Sequence, residues 1–144
     1  MNPLNPLKRS MAGLREFFAP RRLSVAAPPL RILNRTRGTI LATRLETANT
    51  SASRNMGLLG RDRLAPGQGL WIVPCESVHT FFMRFPIDLV YLDRQKRIRK
   101  VSNAVGPWRV SACFSAHSVI ELPAGTIQAT QSQRGDALEF APAD

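Results

Sequence analysis

Cysteine, histidine and long apolar runs are all scarce in this sequence of 144 residues, which has two cysteines and two histidines. Two cysteines cannot form the multi-disulfide framework of a small secreted domain, and we expect both to be reduced thiols. The best secretory segment, residues 23–30, is interrupted by Pro28 and Pro29, so we predict no signal peptide and a cytoplasmic location. No run approaches the about 20 apolar residues that span a bilayer, which argues against a transmembrane helix.

The usual catalytic motifs are also missing. The sequence contains no glycine-rich phosphate loop, no GxSxG elbow, no HExxH pair and no paired-carboxylate signature. Whether the protein is an enzyme is therefore left open by its motifs.

Positive charge is abundant and unevenly placed. The chain has a formal net charge of +10, and residues 1–37 contribute eight Lys and Arg residues against one Glu. This asymmetry favours weak, salt-sensitive contact with anionic partners such as nucleic acid or anionic lipid. Residues 1–29 combine this charge with five prolines and predict a disordered tail, followed by a single domain over residues 30–144.

Short apolar runs separated by 11 prolines and 9 glycines predict a mainly β fold of the α+β type. Residues 30–47 predict a hairpin around a turn at residues 34–38, and residues 49–60 predict a helix that ends at Gly60. A second short helix or turn is expected from Pro123 to about Gln131. Further strands are predicted at residues 70–73, 78–85, 87–92, 98–101, 108–114, 118–122 and 137–140.

Three segments form a recognisable series: GLLGR at residues 57–61, FFMRFPIDLVYLD at residues 81–93, and ELPAG at residues 121–125. Together with Gly135-Asp136, they resemble the domain of unknown function 192 family (DUF192, uncharacterised protein family 0127) over about residues 56–140. The resemblance implies a small barrel-like, largely antiparallel sheet with one or two short helices, in a family of bacteria and archaea; we expect a bacterial protein. It implies no agreed biochemical activity.

The cysteines and histidines occur in two equal spacings, Cys75-x₃-His79 and Cys113-x₃-His117. Together they would supply the sulfur and imidazole ligands of a tetrahedral zinc site. Residues four apart on a strand lie roughly 13 Å from each other, so such a site needs a bend in the chain. The simpler interpretation is that the cysteines are small core residues and the histidines are satisfied polar groups.

A second polar group lies within the apolar segment of residues 71–92 and consists of Glu76, His79, Arg84 and Asp88. Because a carboxylate between Ile87 and Leu89 is costly to bury alone, the spacing predicts an Arg84–Asp88 ion pair. The functional hypothesis places Cys75 and these four residues around a small ligand-binding or acid–base pocket.

A third group is the basic turn formed by Arg94, Lys96, Arg97, Arg99 and Lys100. It could join the tail in contacting phosphates, or be a solvated turn that resists aggregation. The leading hypothesis from the sequence is a domain that binds a small ligand or a protein partner. The alternatives are a metal-dependent or acid–base enzyme that uses the Cys75 and His79 region, and a nucleic-acid-associated protein.

Overall fold

The computed structural model describes residues 28–144. The disordered tail predicted for residues 1–29 therefore lies outside the described residues, apart from Pro28 and Pro29. The described part is built mainly from strands: β1 (Leu30–Asn34), β2 (Thr39–Ala48), β3 (Gln68–Ile72), β4 (Ser77–His79), β5 (Ile87–Leu92), β6 (Ile98–Val105), β7 (Val110–Ala112), β8 (Ser118–Pro123) and β9 (Leu138–Pro142). Two short helices accompany them: α1 (Ser51–Met56) and α2 (Thr126–Thr130). No helix within residues 28–144 is long and apolar enough to cross a bilayer.

Seven of these strands form one curled sheet in the order β6-β5-β8-β3-β2-β1-β9, and β4 pairs with β7 as a separate small sheet. The β2–β3 pair is parallel, whereas the other neighbours are antiparallel. The edge strands β6 and β9 approach each other through an isolated bridge between Arg97 and Ala137. The sheet is thus a half-barrel, as expected for a small barrel-like α+β domain.

The central strands β5 and β8 are covered on both faces. Residues that alternate along them belong to two different apolar clusters: Val90 and Ile120 pack inside the curled sheet, while Leu89 and Val119 pack on its outer side. The outer cluster is covered by the chain that follows α1 and by the β4–β7 sheet, which contributes Val78. Every polar side chain on β5 or β8 therefore needs a partner within the protein.

Most of the predicted elements are present. The predicted hairpin forms β1 and β2, and residues 87–92 form β5 with the predicted bounds. Helix α1 is shorter than predicted: Thr50 caps its first turn through a reciprocal hydrogen-bond pair with Ser53, and it ends at Gly57 instead of Gly60.

The predicted strand at residues 78–85 is wrong beyond His79. Thr80 leaves the ladder because its hydroxyl donates to the carbonyl of Gly106 at 2.7 Å, and its carbonyl accepts from the N–H groups of Met83 and Trp108. The chain turns there, with Phe82 at φ 64°. These contacts also shorten the strand predicted at residues 108–114 to β7.

A buried carboxylate joins two turns beside the neighbouring strands β2, β1 and β9. Asp136 accepts hydrogen bonds from the Asn34 amide at 2.9 Å, the Arg37 guanidinium at 3.1 Å and the Gln133 N–H at 3.1 Å. Burial alone would raise the pKa of Asp136, but these three donors together lower it. Asp136 therefore fixes the β1–β2 turn against the turn that precedes β9.

Replacing Asp136 with alanine should destabilise the fold. The change removes the carboxylate that accepts from Arg37 and from the buried Asn34 amide, which keeps the Ser132 hydroxyl as its other acceptor. We expect the free energy of unfolding to fall by roughly 2–4 kcal/mol. Urea denaturation measures this as a lower midpoint with an unchanged slope. The control is Asp62→Ala, which removes an exposed ion pair with Arg84 and should change stability by less than about 0.5 kcal/mol. Equal effects from the two variants would contradict the role given to Asp136.

Candidate functional site

A cleft of about 330 Å³ opens between α1 and the start of the β4–β7 sheet. One wall is α1 with the residues after it, and the other runs from the end of β3 through β4. The lining residues are Arg54, Asn55, Met56, Gly57, Leu58, Leu59, Ile72, Pro74, Cys75, Ser77, Val78, His79, Met83 and Glu121. This volume lies within the range of small-molecule sites.

Glu121 is the buried acidic group of the cleft. It lies on β8 opposite Leu89 of β5 and Leu70 of β3, so its side chain enters the outer apolar cluster. The residue is 4% exposed, and its Oε2 atom has no hydrogen-bond partner within residues 28–144. Burial raises the pKa of Glu121 to about 7, although the Arg61 guanidinium partly lowers it.

Gly57 brings the backbone close to this carboxyl group. A Cβ atom at position 57 would lie 3.8 Å from Oε2 of Glu121, and the residue has a φ of +49°. A side chain at this position would therefore adopt a disfavoured backbone conformation and fill space beside the carboxyl group. The glycine keeps that side of Glu121 open.

Cys75 and His79, two of the five residues in the ligand-pocket hypothesis, line the cleft. The Cys75 thiol donates to the carbonyl of Ser77 at 3.1 Å, and burial raises its pKa. The thiol is therefore protonated at neutral pH, which weakens it as a nucleophile and as a metal ligand. The His79 ring stacks on Phe81 with centroids 5.0 Å apart.

The other three residues of the predicted pocket do not line it. Glu76 is exposed, and Arg84 forms an ion pair with Asp62. Asp88 is fully buried and accepts from the backbone N–H groups of Ala104 and Ile127, each at 2.8 Å. The predicted Arg84–Asp88 ion pair is therefore wrong. Asp88 is satisfied by β6 and by the first turn of α2, whose cap residue Gly125 has no side chain to do this.

The two Cys-x₃-His pairs are not assembled into a zinc site. Within the described part of the chain, no three His, Cys, Asp or Glu side chains are grouped as metal ligands. Cys75 and Cys113 both pack against the outer apolar cluster, and the Cys113 sulfur lies 3.5 Å from the Ser115 hydroxyl. His117 is half-buried, and its backbone pairs with Leu92 and Cys75. The two cysteines and two histidines therefore do not form a tetrahedral zinc site.

The basic turn is divided between different parts of the surface. Lys96 lies over the ring of Trp71, whereas Lys100 donates to the carbonyl of Ala112 on β7. Arg97 contacts the Gly135 carbonyl, and Arg99 contacts the Ser115 hydroxyl. Arg94 is exposed. A role of these five residues in nucleic-acid binding stays a prediction.

The main site residue that sequence reasoning missed is Glu121. The sequence analysis includes it only within the ELPAG segment. The signal that could identify it is a single acid in the run SVIEL, residues 118–122. An acidic residue flanked by apolar residues in a strand is either buried or on the face of the strand that is exposed to solvent. Whether that side is covered depends on α1 and the β4–β7 sheet, which fold over β8 from distant parts of the chain.

The raised pKa of Glu121 predicts a specific dependence of stability on pH. The folded-state pKa lies above the unfolded value, so the contribution of Glu121 to stability is full below about pH 4.5 and is lost as pH rises to about 7. The loss should reach roughly 3 kcal/mol. Glu121→Gln removes this titration, so its stability relative to the wild type should rise between pH 4.5 and 7.

Urea denaturation at a series of pH values measures that difference, in which the contributions of all other groups cancel. The matched control is Glu139→Gln, the same substitution at an exposed residue paired with Arg35. A difference between Glu121→Gln and the wild type that does not vary with pH would show that Glu121 titrates normally.

Comparisons with known proteins agree with the fold. The DUF192 family model, described as "uncharacterized ACR", matches residues 32–140. A UPF0127 protein of Thermococcus sibiricus is 30% identical over 118 residues, which cover 76% of this chain and 73% of that protein. A UPF0127 protein of Pyrococcus furiosus is 31% identical over 116 residues, covering 76% of this chain and 97% of that protein.

Two bacterial crystal structures are also similar. One is of a Sinorhizobium meliloti protein proposed to be a transcription regulator, with a TM-score of 0.69 and 22% identity over 78% of this chain and 92% of that one. The other is of a Novosphingobium aromaticivorans protein of unknown function, with a TM-score of 0.68 and 21% identity over 80% of this chain and 94% of that one. At these identities the likeness concerns the fold.

Because the sequence relatives are archaeal and these structures are bacterial, a bacterial origin stays a prediction. The match over residues 32–140 and the archaeal relatives establish that the chain belongs to the DUF192 family.

Proposed function

We propose that this domain binds a small ligand in the cleft, and that the ligand presents a hydrogen-bond donor to Glu121. The observation that carries the proposal is the buried, unpartnered Oε2 atom of Glu121 in a cleft of about 330 Å³. A buried carboxyl without a partner is unfavourable, and a donor from a ligand would remove that penalty. Other buried polar atoms also lack partners, such as the Ser118 hydroxyl, but among them Glu121 lines the cleft.

The chemistry around Glu121 defines the ligand. Leu58, Ile72, Val78 and Met83 line the cleft with apolar side chains, which suits an apolar body. An N–H or ammonium group suits the carboxyl group, because a charge-assisted hydrogen bond to a carboxylate is stronger than a neutral one. The proposed ligand is therefore a small amine or amide with an apolar portion. A protein partner would have to insert a side chain of the same kind, such as lysine.

An acid–base enzyme is the second candidate, because a pKa of about 7 is suited to a group that both takes up and releases a proton. The proposal of a binding domain is preferred for two reasons. The Cys75 thiol is held in its protonated form by burial, and the His79 ring is engaged with Phe81. Glu121 is the cleft carboxyl group whose pKa burial raises to about 7, and its unpartnered oxygen favours a bound donor.

Three ligands of similar shape test the proposal: benzylamine, benzamide and benzoate. At about pH 8, where Glu121 is largely ionised, the amine should bind best and the amide more weakly, while benzoate should not bind because its charge opposes that of Glu121. NMR titration of the labelled protein measures this through the backbone signals of Gly57, Cys75 and His79.

The Glu121→Gln variant should weaken benzylamine binding by about tenfold, the effect of losing one charge-assisted hydrogen bond. Glu139→Gln is again the matched control and should leave binding unchanged. Equal binding of benzoate and benzylamine, or equal affinity of Glu121→Gln and the wild type, would contradict the assignment of Glu121 as the acceptor.

A further inference from the structure

The outer face of the β4–β7 sheet exposes a large apolar side chain, that of Val110. In this sheet Val78 pairs with Ser111, and both point inward: Val78 is buried, and the Ser111 hydroxyl accepts from the buried Tyr91 hydroxyl at 3.0 Å. Their neighbours along each strand therefore lie on the opposite face, where Val110 is opposite His79. Val110 is 68% exposed.

Aromatic side chains extend this face beyond both ends of β7. Trp108 is 58% exposed, Phe82 is 72% exposed, and Phe114, two residues after β7, is 80% exposed. Trp108 contacts Phe82 edge to face with ring centroids 4.7 Å apart, and Phe81 lies 5.7 Å away on a tilted plane. We call Phe82, Trp108, Val110 and Phe114 the apolar face. Exposed apolar side chains that contact one another, as Phe82 and Trp108 do, mark an interaction surface.

Two of these side chains are held outward in a disfavoured backbone conformation. Phe82 has a φ of 64° and Trp108 a φ of 62°, where glycine or asparagine is the usual residue. The buried Thr80 holds both turns: its carbonyl accepts from the Trp108 N–H at 3.0 Å and from the Met83 N–H at 3.1 Å. A turn alone would not need a bulky aromatic residue at either position. Backbone strain of this kind, maintained by hydrogen bonds to a buried residue, is typical of functional surfaces.

The groups around the apolar face are mostly basic. Arg109 is exposed between Trp108 and Val110, and its N–H donates to the Thr80 hydroxyl at 2.9 Å. Arg99 reaches the residues after β7 through the Ser115 hydroxyl. Lys100 lies instead over the buried Tyr91 ring, on the inner side of the β4–β7 sheet, and donates to the Ala112 carbonyl. The acidic residue next to this face is Glu76, whose carbonyl pairs with the Cys113 N–H. Together with the chain's net charge of +10, this arrangement complements an anionic surface.

We propose that the apolar face docks on the surface of an anionic lipid bilayer. Phe82, Trp108, Val110 and Phe114 enter the boundary between the headgroups and the acyl chains, and the neighbouring basic side chains contact lipid phosphates. Tryptophan and phenylalanine side chains are well suited to that boundary. The inference is independent of the ligand proposed for Glu121.

A bilayer fits this face better than single-stranded nucleic acid does. Bases stack on open ring faces, whereas Trp108 is flanked by Phe82 and Phe81, and Phe81 is stacked on His79. What protrudes is the outer part of this aromatic group, together with Val110 and the separate Phe114. Such side chains can be buried in an apolar medium, but they do not form a continuous stacking platform.

The first test is sedimentation of the full chain with vesicles of phosphatidylcholine, with or without phosphatidylserine. The wild type should bind the vesicles that contain phosphatidylserine and bind pure phosphatidylcholine much more weakly. A triple variant, Phe82→Asn, Trp108→Asn and Phe114→Ser, should bind the anionic vesicles about tenfold or more weakly, since apolar surface no longer leaves water. Asparagine tolerates a positive φ, so the fold should be retained. The control is Ile40→Thr, which removes an exposed apolar side chain on β2, and it should bind like the wild type.

The basic tail is common to all these variants, so non-specific attraction through it cannot produce a difference between them. The second measurement uses the emission of Trp108 in a Trp71→Phe background. Anionic vesicles should shift this emission to shorter wavelength as the indole leaves water. Equal vesicle binding by the triple variant and the wild type, or an unchanged Trp108 emission, would overturn the proposal. A shift caused by single-stranded RNA but not by vesicles would also overturn it and would identify the face as a nucleic-acid surface.

Discussion

The fold depends on the burial of β5 and β8 on both faces. These two strands form the centre of the curled sheet, with one apolar cluster inside it and another outside. Such strands can hold a carboxylate only if the structure provides donors for it or keeps it protonated. The domain contains both solutions on neighbouring strands. Asp88 on β5 accepts two backbone N–H groups and joins three elements, whereas Glu121 on β8 has an oxygen without a partner and a pKa raised by burial.

The difference between Asp88 and Glu121 distinguishes residues with a structural role from a candidate functional residue, within the segments that mark the family. Asp88, Gly125 and Asp136 all have structural explanations. Asp88 caps α2 from a distance, Gly125 is the left-handed residue before that helix, and Asp136 joins the β1–β2 turn to the turn before β9. Glu121 has none, because removing its charge would not leave a donor unsatisfied. We propose a ligand as the partner of this acid, which lies in a covered apolar cluster beside an open cleft. The apolar face on the β4–β7 sheet would then bring that cleft close to a membrane surface.

The sequence predicts local structure well where local forces decide it. The β-prone run at residues 87–92 lies between Pro86 and Asp93, and β5 has those bounds. The prediction fails at Thr80. Its hydroxyl donates to the Gly106 carbonyl and accepts from the Arg109 N–H, and its carbonyl accepts from the Trp108 N–H. These bonds to the loop before β7 end β4. The partners of Asp88 likewise lie 16 and 39 residues away, so the nearby Arg84 was the wrong choice. Cys75 and His79 line a cleft, and their role in binding stays a prediction. The burial of Glu121 depends on distant segments that fold over β8.

The most direct test of this account is the titration of Glu121 itself. With carbon-13 in the glutamate side chains, NMR follows each carboxyl signal as a function of pH, and Glu121→Gln identifies the signal of Glu121 by its loss. The signal of Glu121 should titrate with a midpoint of about 7. A midpoint for Glu121 near the ordinary value of about 4.3 for glutamate would mean that its carboxylate is solvated or paired, and would contradict the central claim.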